Sequence, residues 1–377
     1  MSAATESQDR SQDGSQRRLN VGLIGAGNIS GQYLQTLNRL EDLNLVGVAD
    51  LDLDRARQVA EAGGAQGMSV DELLASPEVE AVINLTIPRA HAETSLAAIA
   101  AGKGVYVEKP FAATVAQGQQ MLAAAETAGV VMGSAPDTVL GTGVQTARAA
   151  VDAGQIGTPI SAVATMVTAG HESWHPNPDF YYQPGGGPLL DMGPYYVTSL
   201  ITLLGPVTSV IGASSALRTE REIGSGPRAG EKLPVSTPSH ITGALIHESG
   251  AISTLVMSFD GTASQAPPIE VHGTEASMAV PDPNHFAGEV LLARDRNEWQ
   301  PVQTAGGYVQ AGRGYGLADL LWSGAFDGDP TLGRAQGALG LHVLEVMAGV
   351  LTAAETGASV TISSRADRPS AVPLDPR

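Results

Sequence analysis

Apolar residues in the first third of the chain occur in two alternating patterns. Short runs of consecutive apolar residues predict strands at 19–25, 43–50, 81–88, 103–110 and 129–135. Apolar residues spaced three or four positions apart predict helices at 28–40, 53–62, 89–102 and 114–128. Continuous apolar strands separated by helices are typical of a parallel sheet covered on both faces.

The pattern changes after residue 136. Apolar spacing predicts helices at 139–153, 192–204 and 334–354. Short apolar segments with turn residues between them predict strands at 160–170, 207–217, 240–248, 251–259, 268–273, 276–281 and 288–293. Residues 224–238 are rich in Gly, Pro and Ser and predict a mobile loop. The predicted fold class is α/β, with a second α/β domain built on a large, open, mostly antiparallel sheet.

Length and composition restrict the possible functions. The 377 residues suggest two domains, which the change of pattern places at 19–137 and 138–377. With 21 basic and 39 acidic residues the net charge is −18, which argues against nucleic acid or a membrane as partner. The chain has no cysteine, so thiolate chemistry and disulfides are excluded. Residues 1–18 are polar and predict a disordered tail, and we expect a cytoplasmic protein.

A glycine-rich turn lies between the first predicted strand and the first predicted helix. Gly25 permits a tight turn, and Gly27 lets the backbone approach a pyrophosphate at the helix N-terminus. Asp50 ends the second predicted strand, where a carboxylate binds ribose hydroxyls and disfavours a 2′-phosphate. A tight turn followed by a surface aspartate is the alternative interpretation. The predicted cofactor is NAD, with contacts from Gly25, Gly27, Asn28, Ile29 and Asp50.

Two further segments carry groups suited to proton transfer. Glu108 and Lys109 end another predicted strand, at the sheet edge where such folds bind ligands. A surface lysine at a strand end explains the same residues equally well. Asp191 is suited to cap the predicted helix, with Pro194 in its first turn, and Tyr195 lies on the same side of the helix start. Capping alone, with a packed aromatic, is the alternative here.

Taken together, these motifs resemble a known family. Over residues 19–354 the chain is similar to the glucose–fructose oxidoreductase, inositol dehydrogenase and rhizopine-catabolism (Gfo/Idh/MocA) oxidoreductases. The matching features are the turn at 25–30, Thr86-Ile87-Pro88 followed by His91, Glu108-Lys109-Pro110, and the glycine run leading to Asp191-Met192-Gly193-Pro194-Tyr195. The resemblance implies a Rossmann domain followed by an open-faced α/β domain that covers the nicotinamide. It also implies that Thr86, Pro88, His91, Glu108 and Lys109 bind the cofactor.

The resemblance also implies catalytic roles. Lys109 would contact the reacting oxygen of the substrate, and Asp191 would hold a substrate hydroxyl. The family's usual acid/base histidine corresponds to Tyr195, which is the main departure from the pattern. A phenol is a poor base at neutral pH because its ordinary pKa is about 10. The choice of base between Lys109 and Tyr195 therefore stays open.

A polar and aromatic segment at 171–176 offers substrate contacts. Trp174 presents a flat face for sugar stacking, while charged and imidazole side chains beside it bind hydroxyls. Pro176 and Pro178 oppose a regular helix, so we expect no metal site from the two histidines. A structured loop at an interface is the alternative. The predicted substrate contacts are Asp137, His171, Glu172, Trp174, His175, Asp191 and Tyr195, with Asp179, Tyr181 and Tyr182 extending the cluster.

These observations favour an NAD-dependent oxidoreductase acting on a ring hydroxyl of a sugar, polyol or glycoside. One alternative is an NAD-dependent glycoside hydrolase, since the resemblance extends to members that cleave glycosides by transient oxidation. Another is a non-catalytic NAD sensor. Basic residues in the pocket would favour an anionic substrate, the candidates being Arg148, Arg218 and Arg313. We expect a homodimer or homotetramer through the open sheet.

Overall fold

A computed structural model describes residues 17–296 and 298–377. Most of the predicted tail at 1–18 therefore lies outside the described residues. Within the described residues, the first sheet has six parallel strands in the order β3-β2-β1-β4-β5-β6. They are β1 (Leu19–Ile24), β2 (Leu43–Ala49), β3 (Gln66–Met68), β4 (Ala81–Asn84), β5 (Gly104–Val107) and β6 (Met132–Ser134). This order confirms the predicted parallel sheet.

Helices alternate with these strands along the chain. They are α1 (Ser30–Leu37), α2 (Leu53–Ala62), α3 (Val70–Ala75), α4 (His91–Ala100) and α5 (Val115–Ala128). The sequence analysis did not predict α3, which is short. Its start is marked by Ser69, whose hydroxyl accepts the amide of Glu72 while the Glu72 carboxylate accepts the Ser69 amide.

A second sheet follows α6 (Thr142–Asp152), and nine of its strands lie within the described ranges, in the order β16-β15-β14-β13-β7-β12-β11-β8-β17. All neighbours are antiparallel except β7 and β12, so the mostly antiparallel prediction is confirmed. The strands are β7 (Pro159–Val167), β8 (Val207–Ser215), β11 (His240–His247), β12 (Ile252–Ser258), β13 (Ile269–Gly273), β14 (Ser277–Val280), β15 (Leu291–Ala293), β16 (Gln300–Pro301) and β17 (Val360–Thr361).

Two helices cover one face of this sheet. α7 (Pro188–Leu204) packs on β7, β11 and β12, and α9 (Gly337–Thr356) packs on β8. α9 has the length and apolar composition of a membrane span, but it is mostly buried among α5, α7 and the two sheets. The other face exposes apolar side chains of β7, β8 and β12, namely Val163, Ile211 and Ile252.

The second half of the chain also returns to the first sheet. α8 (Tyr315–Trp322) packs on β6, and its Leu317 and Leu320 are fully buried in one core with Tyr106 of β5. The sequence analysis missed α8 because seven of its eight residues are buried, so it lacks the polar face that a helical period requires. The two sheets are therefore joined by packing as well as by the chain.

Two predictions about local structure were wrong. The segment at 224–238 is not simply a loop, because β10 (Lys232–Pro234) pairs with β9 (Glu220–Glu222). In addition, α7 begins at Pro188 rather than at residue 192, and its N-cap is Gly187. Asp191 is thus not the helix cap, and Pro194 lies inside the helix instead of at its start.

Gly212→Ala tests the contact between α9 and the second sheet. A Cβ at Gly212 of β8 would lie inside van der Waals contact with the carbonyl oxygen of Val350. Because backbone cannot move aside as a side chain tip does, we expect a loss of about 1–3 kcal/mol in the free energy of unfolding. Urea denaturation measures it. Gly31→Ala is the control, since a Cβ there meets no atom within 4 Å; equal loss in both variants would contradict the prediction.

Candidate active site

The turn after β1 has the geometry of a phosphate cradle. Gly25 has φ of +106°, and a Cβ there would lie 2.6 Å from the carbonyl carbon of Leu85. Only glycine tolerates both the positive φ and this close approach to the backbone that follows β4. A Cβ at Gly27 would meet no atom within 4 Å, so the turn is open towards solvent. Asn28 is exposed and Ile29 half-buried beside it.

Asp50 lies directly beside this turn. Its carboxylate accepts the backbone amide of Ala26 at 2.7 Å and a guanidinium hydrogen bond from Arg55 at 2.6 Å. Burial alone would raise the pKa of Asp50, but these partners outweigh it and the pKa is lowered. The acid is therefore ionised next to the glycine turn. An open cradle beside a fixed carboxylate fits the pyrophosphate and ribose of NAD.

The predicted cofactor residues after β4 divide into two groups. Thr86 and Pro88 line the exposed end of the strand, where Thr86 donates its hydroxyl to Asn84 at 2.7 Å. His91 is 1% exposed, and its ring nitrogens lie 2.8 and 2.9 Å from the carbonyl oxygens of Pro110 and Thr86. Its predicted cofactor contact is therefore replaced by a structural one. His91 ties together the loops that follow β4 and β5.

Lys109 and Asp191 form the centre of the site. Lys109 follows β5, and its Nζ donates to the Asp191 carboxylate and to the Asp191 carbonyl, both at 2.9 Å. The other carboxylate oxygen of Asp191 lies 3.0 Å from Nε2 of His171. Each of the three side chains keeps between 12 and 18% exposure. A cation, an anion and an imidazole thus meet at one point of the surface.

This contact determines the charges of the pair. Burial alone would lower the pKa of Lys109, but the negative charges of Asp191 and Glu108 outweigh it and raise that pKa. Burial alone would raise the pKa of Asp191, but Lys109 and His171 outweigh it and lower the pKa well below its usual range. At neutral pH Lys109 is therefore an ammonium that donates, and Asp191 is a carboxylate that accepts.

Tyr195 packs on the same pair but makes a different contact. Nζ of Lys109 lies 5.2 Å from the centre of its ring, and the guanidinium of Arg313 lies 5.1 Å from it. Two cations therefore lie within cation–π distance of this ring. Burial raises the pKa of Tyr195 despite these cations, so the phenol is neutral.

Two predicted site acids lie beneath the surface. Glu108 is buried and accepts the Tyr33 hydroxyl at 2.9 Å and the Lys109 amide at 2.7 Å. Asp137 is fully buried, and its Oδ2 accepts the amides of two residues at the start of α8, namely Gly314 and Gly316. The prediction that Asp137 binds substrate is thus corrected, because no part of it reaches the surface. Both acids support the site from below.

A cleft of about 530 Å³ opens beside Asp191, between α7 and the second sheet. Of the sequence-predicted residues it contains His171, Trp174, Tyr181, Asp191 and Tyr195. The sequence analysis did not identify Met192, Tyr196, Asp282 and Asn284, which also line it. The proline-flanked turn at 281–284 was the signal for the last two.

Among the three candidate pocket arginines, only Arg313 lies next to the cleft. Its guanidinium donates to the side chain of Asn284 at 3.0 Å. Arg148 binds the carbonyls of Thr202 and Pro369 instead, and Arg218 is exposed away from the lining residues.

The loop that carries His171 is held by buried charges. The side chain of Arg221 is 2% exposed, and it donates to the Glu172 carboxylate at 2.8 Å. It also donates to the carbonyls of Ala169 and Phe259, each at 3.0 Å, and pairs with Asp260. The hydroxyl of Tyr182 donates to the same Glu172 carboxylate. Glu172 is therefore a structural anion, which corrects its predicted role as a substrate contact.

The remaining predicted residues form an aromatic wall. The His171 ring packs against Trp174, Tyr181 and Phe259 at centroid distances of 5.2, 4.6 and 4.5 Å. Trp174 is 58% exposed, and His175 packs edge-on against it at 5.4 Å. Asp179 points away to an ion pair with Arg228. No group of His, Asp or Glu suited to a metal ion occurs among the described residues.

An open glycine turn, an ionised carboxylate beside it and a Lys109–Asp191 pair that joins a strand end to a helix start fit an NAD-binding oxidoreductase. Comparison with known proteins supports this assignment. Residues 19–135 match the model of the oxidoreductase family with an NAD-binding Rossmann fold, and residues 144–279 match the GFO/IDH/MocA C-terminal domain. The chain belongs to the GFO/IDH/MocA family, which confirms the resemblance seen in the sequence.

Several similar proteins have names that describe a reaction. The chain is 30% identical to 1,5-anhydro-D-fructose reductase of Ensifer adhaerens over 264 residues, 68% of this chain and 74% of that one. It is 37% identical to inositol 2-dehydrogenase 3 of Saccharopolyspora erythraea over 147 residues, 38% of this chain and 43% of that one.

Solved structures with the same fold are more distant in sequence. An NAD-binding oxidoreductase from Klebsiella pneumoniae has a TM-score of 0.79 and 24% identity, covering 92% of this chain and 100% of that one. Levoglucosan dehydrogenase in complex with NADH and levoglucosan has a TM-score of 0.75 and 21% identity, with coverage of 92% and 100%.

Arg221→Ala tests the charges that hold the His171 loop. It leaves the Glu172 carboxylate buried without its cation, so we expect a loss of about 3–5 kcal/mol in the free energy of unfolding. Denaturant titration followed by circular dichroism measures it. The double variant Arg221→Met/Glu172→Gln has no buried charge at position 172. Its loss in the free energy of unfolding should therefore be smaller than that of Arg221→Ala.

Arg228→Ala is the matched control for this experiment. Its guanidinium pairs with Asp179 on the same loop, but a third of each side chain is exposed and solvent screens the pair. We expect a much smaller change in stability. Equal losses in Arg221→Ala and Arg228→Ala would contradict the structural role of Arg221.

Proposed function

We propose that this protein is an NAD-dependent oxidoreductase that acts on a ring hydroxyl of a sugar, polyol or glycoside. The observation that carries the proposal is the Lys109–Asp191 pair at the edge of the cleft. Lys109 follows a strand of the cofactor-binding sheet, whereas Asp191 belongs to the helix beneath the second sheet. A substrate hydroxyl bound between them would accept a hydrogen bond from Lys109 on its oxygen. The same hydroxyl would donate its proton in a hydrogen bond to Asp191.

The residues of this chain have separate tasks in the proposed reaction. Gly25, Gly27 and Asp50 would hold NAD, which supplies a hydride acceptor or donor when bound. The Lys109 ammonium would donate a hydrogen bond to the reacting oxygen and stabilise negative charge that develops there. Asp191 would accept a hydrogen bond from a substrate hydroxyl and so fix the ring in place.

The walls of the cleft support a carbohydrate as the substrate. Trp174 and Tyr181 offer flat apolar faces, and Asp282 and Asn284 offer oxygens and an amide for hydroxyls. The relatives named above include a reductase of an anhydro sugar and a dehydrogenase of inositol. None of their names describes a glycosidase, so glycoside hydrolysis, the alternative prediction, has no support from them.

The proposal extends to assembly and location. We propose that 19–137 bind the cofactor, that 138–377 bind substrate, and that the protein works in the cytoplasm. The exposed apolar face of the second sheet supports a homodimer or homotetramer, because two such faces would bury each other's apolar side chains. Its residues are Val163, Ile211 and Ile252.

Lys109→Ala tests the catalytic part of the proposal. We expect kcat to fall by about 10²–10³-fold, because the ammonium that stabilises charge on the reacting oxygen is lost. NADH absorbance measures turnover of myo-inositol and levoglucosan with NAD, and of 1,5-anhydro-D-fructose with NADH.

The control for this variant is Lys232→Ala, which removes an exposed ammonium from the β9–β10 hairpin and should not change kcat. NADH binding, followed by fluorescence, should persist in both variants. Turnover of Lys109→Ala within twofold of the wild type would refute the proposed mechanism.

A further inference from the structure

His171 lies where a proton acceptor is needed. The aromatic residue packed on the Lys109–Asp191 pair is a tyrosine, Tyr195, whose phenol is neutral. We propose that His171 is the general base of the oxidation and takes the proton of the substrate hydroxyl on its Nδ1. This inference rests on the proposed function and names a catalytic residue for it.

The imidazole is held in one orientation at the cleft wall. Its Nε2 lies 3.0 Å from the Asp191 carboxylate, and its side chain is 12% exposed. Phe259 and Tyr181 pack on the ring at 4.5 and 4.6 Å, and the backbone amide of His171 donates to the Tyr182 hydroxyl at 3.2 Å. Because ring and backbone are both fixed, the imidazole is preorganised for one partner.

Asp191 determines which ring nitrogen carries the proton. An ionised carboxylate only accepts hydrogen bonds, so Nε2 of the neutral imidazole must be the donor. The lone pair is then on Nδ1, and none of residues 17–296 and 298–377 hydrogen-bonds this atom. Since His171 lines the cleft, Nδ1 is the acceptor left for a ligand. In general-base catalysis, an aspartate often holds the catalytic histidine in one tautomer.

The other titratable groups at this point are unsuited to the task. Lys109 is held as an ammonium by Asp191 and Glu108, so it has no lone pair to offer. The phenols of Tyr181 and Tyr195 have raised pKa values, about 12 for Tyr181, chiefly because they are buried. Histidine is the side chain whose ordinary pKa lies near neutrality. His171 is the histidine in contact with the Lys109–Asp191 pair.

The proposed step balances as follows. The C–H bond of the substrate would break, and its electron pair would leave as hydride, for which NAD supplies the acceptor when bound. The O–H bond breaks, its electron pair forms the new C=O bond, and its proton goes to Nδ1 of His171. The imidazolium that results is paired with the Asp191 carboxylate, while Lys109 keeps its own proton and donates to the substrate oxygen. The reduction runs through the same groups in reverse.

Several charged or titratable groups face His171 from the elements packed around it. Burial lowers the pKa of His175, which therefore titrates in a more acidic range than an ordinary histidine. The groups are Asp191, Lys109 and Tyr195 at the cleft, His175, Tyr181 and Tyr182 on the same loop, and Glu172 with Arg221 behind it. Among them, only His171 and His175 have an ordinary pKa near neutrality.

His171→Gln is the variant that tests the proposal. The side-chain amide of glutamine replaces the donor to Asp191 but offers no titratable acceptor. We expect kcat for oxidation to fall by about 10²–10⁴-fold with little change in KM. In the wild type, kcat/KM should fall towards acidic pH because a protonated base cannot accept the proton of the hydroxyl. This acidic limb of the pH profile should disappear in the variant.

The readout is initial-rate NADH formation between pH 5.5 and 9.5 with whichever of myo-inositol or levoglucosan the wild type oxidises. In His171→Ala, added imidazole should restore part of kcat, which a purely structural role would not allow. His175→Gln should keep the acidic limb. His272→Gln, on β13 and away from the cleft, is the control that should leave kcat/KM unchanged.

Three outcomes separate the possibilities. An acidic limb that persists in His171→Gln, with or without a lower kcat, would overturn the role of His171 as base. Loss of the limb in His175→Gln would overturn it as well, since the proton would then go to His175. A wild type that forms no NADH with either polyol while binding NADH would overturn the proposed function, and the assignment of His171 with it.

Discussion

The geometry of the site depends on the ion pair between Lys109 and Asp191. Lys109 extends from a strand end of the first sheet, and Asp191 lies in the first turn of a helix beneath the second. Because Nζ donates to both the carboxylate and the carbonyl of Asp191, the strand end is attached to the helix start at two points. Removing one partner would leave a largely desolvated charge, which costs several kcal/mol. The pair therefore keeps the two sheets in register at the cleft.

A second layer of charge beneath this pair stabilises it. Glu108 accepts the Lys109 amide and thereby holds the backbone from which the ammonium extends. Asp137 binds the amides of Gly314 and Gly316 at the start of α8, so the segment that carries Arg313 is attached to the first sheet. Burial of Asp137 raises its pKa, which Arg313 opposes. Acidic and basic groups alternate through this layer, so no single charge is buried far from an opposite one.

How far the sequence predicts the structure depends on how local each feature is. The turn at Gly25 and Gly27 and the Lys109 strand end were recognisable because a few neighbouring residues determine their geometry. The contact between His171 and Asp191 was not recognisable from the sequence. It depends on the loop that carries His171, and the buried Arg221 holds this loop from a strand distant in the chain. Asp137 was misread for the same reason. Its partners are amides almost two hundred residues further along the chain, which no local pattern indicates.

Position 195 shows how surrounding charge selects a residue type. The ring there lies about 5 Å from both Lys109 and Arg313. An imidazole beside two cations would resist protonation, whereas a neutral phenol offers its π face to both. On the other side of Asp191 the surroundings differ, because His171 contacts a carboxylate instead of two cations. In the proposed mechanism, the packing against cations and the acceptance of the proton are therefore divided between Tyr195 and His171, with Asp191 contacting Lys109 and His171 at once.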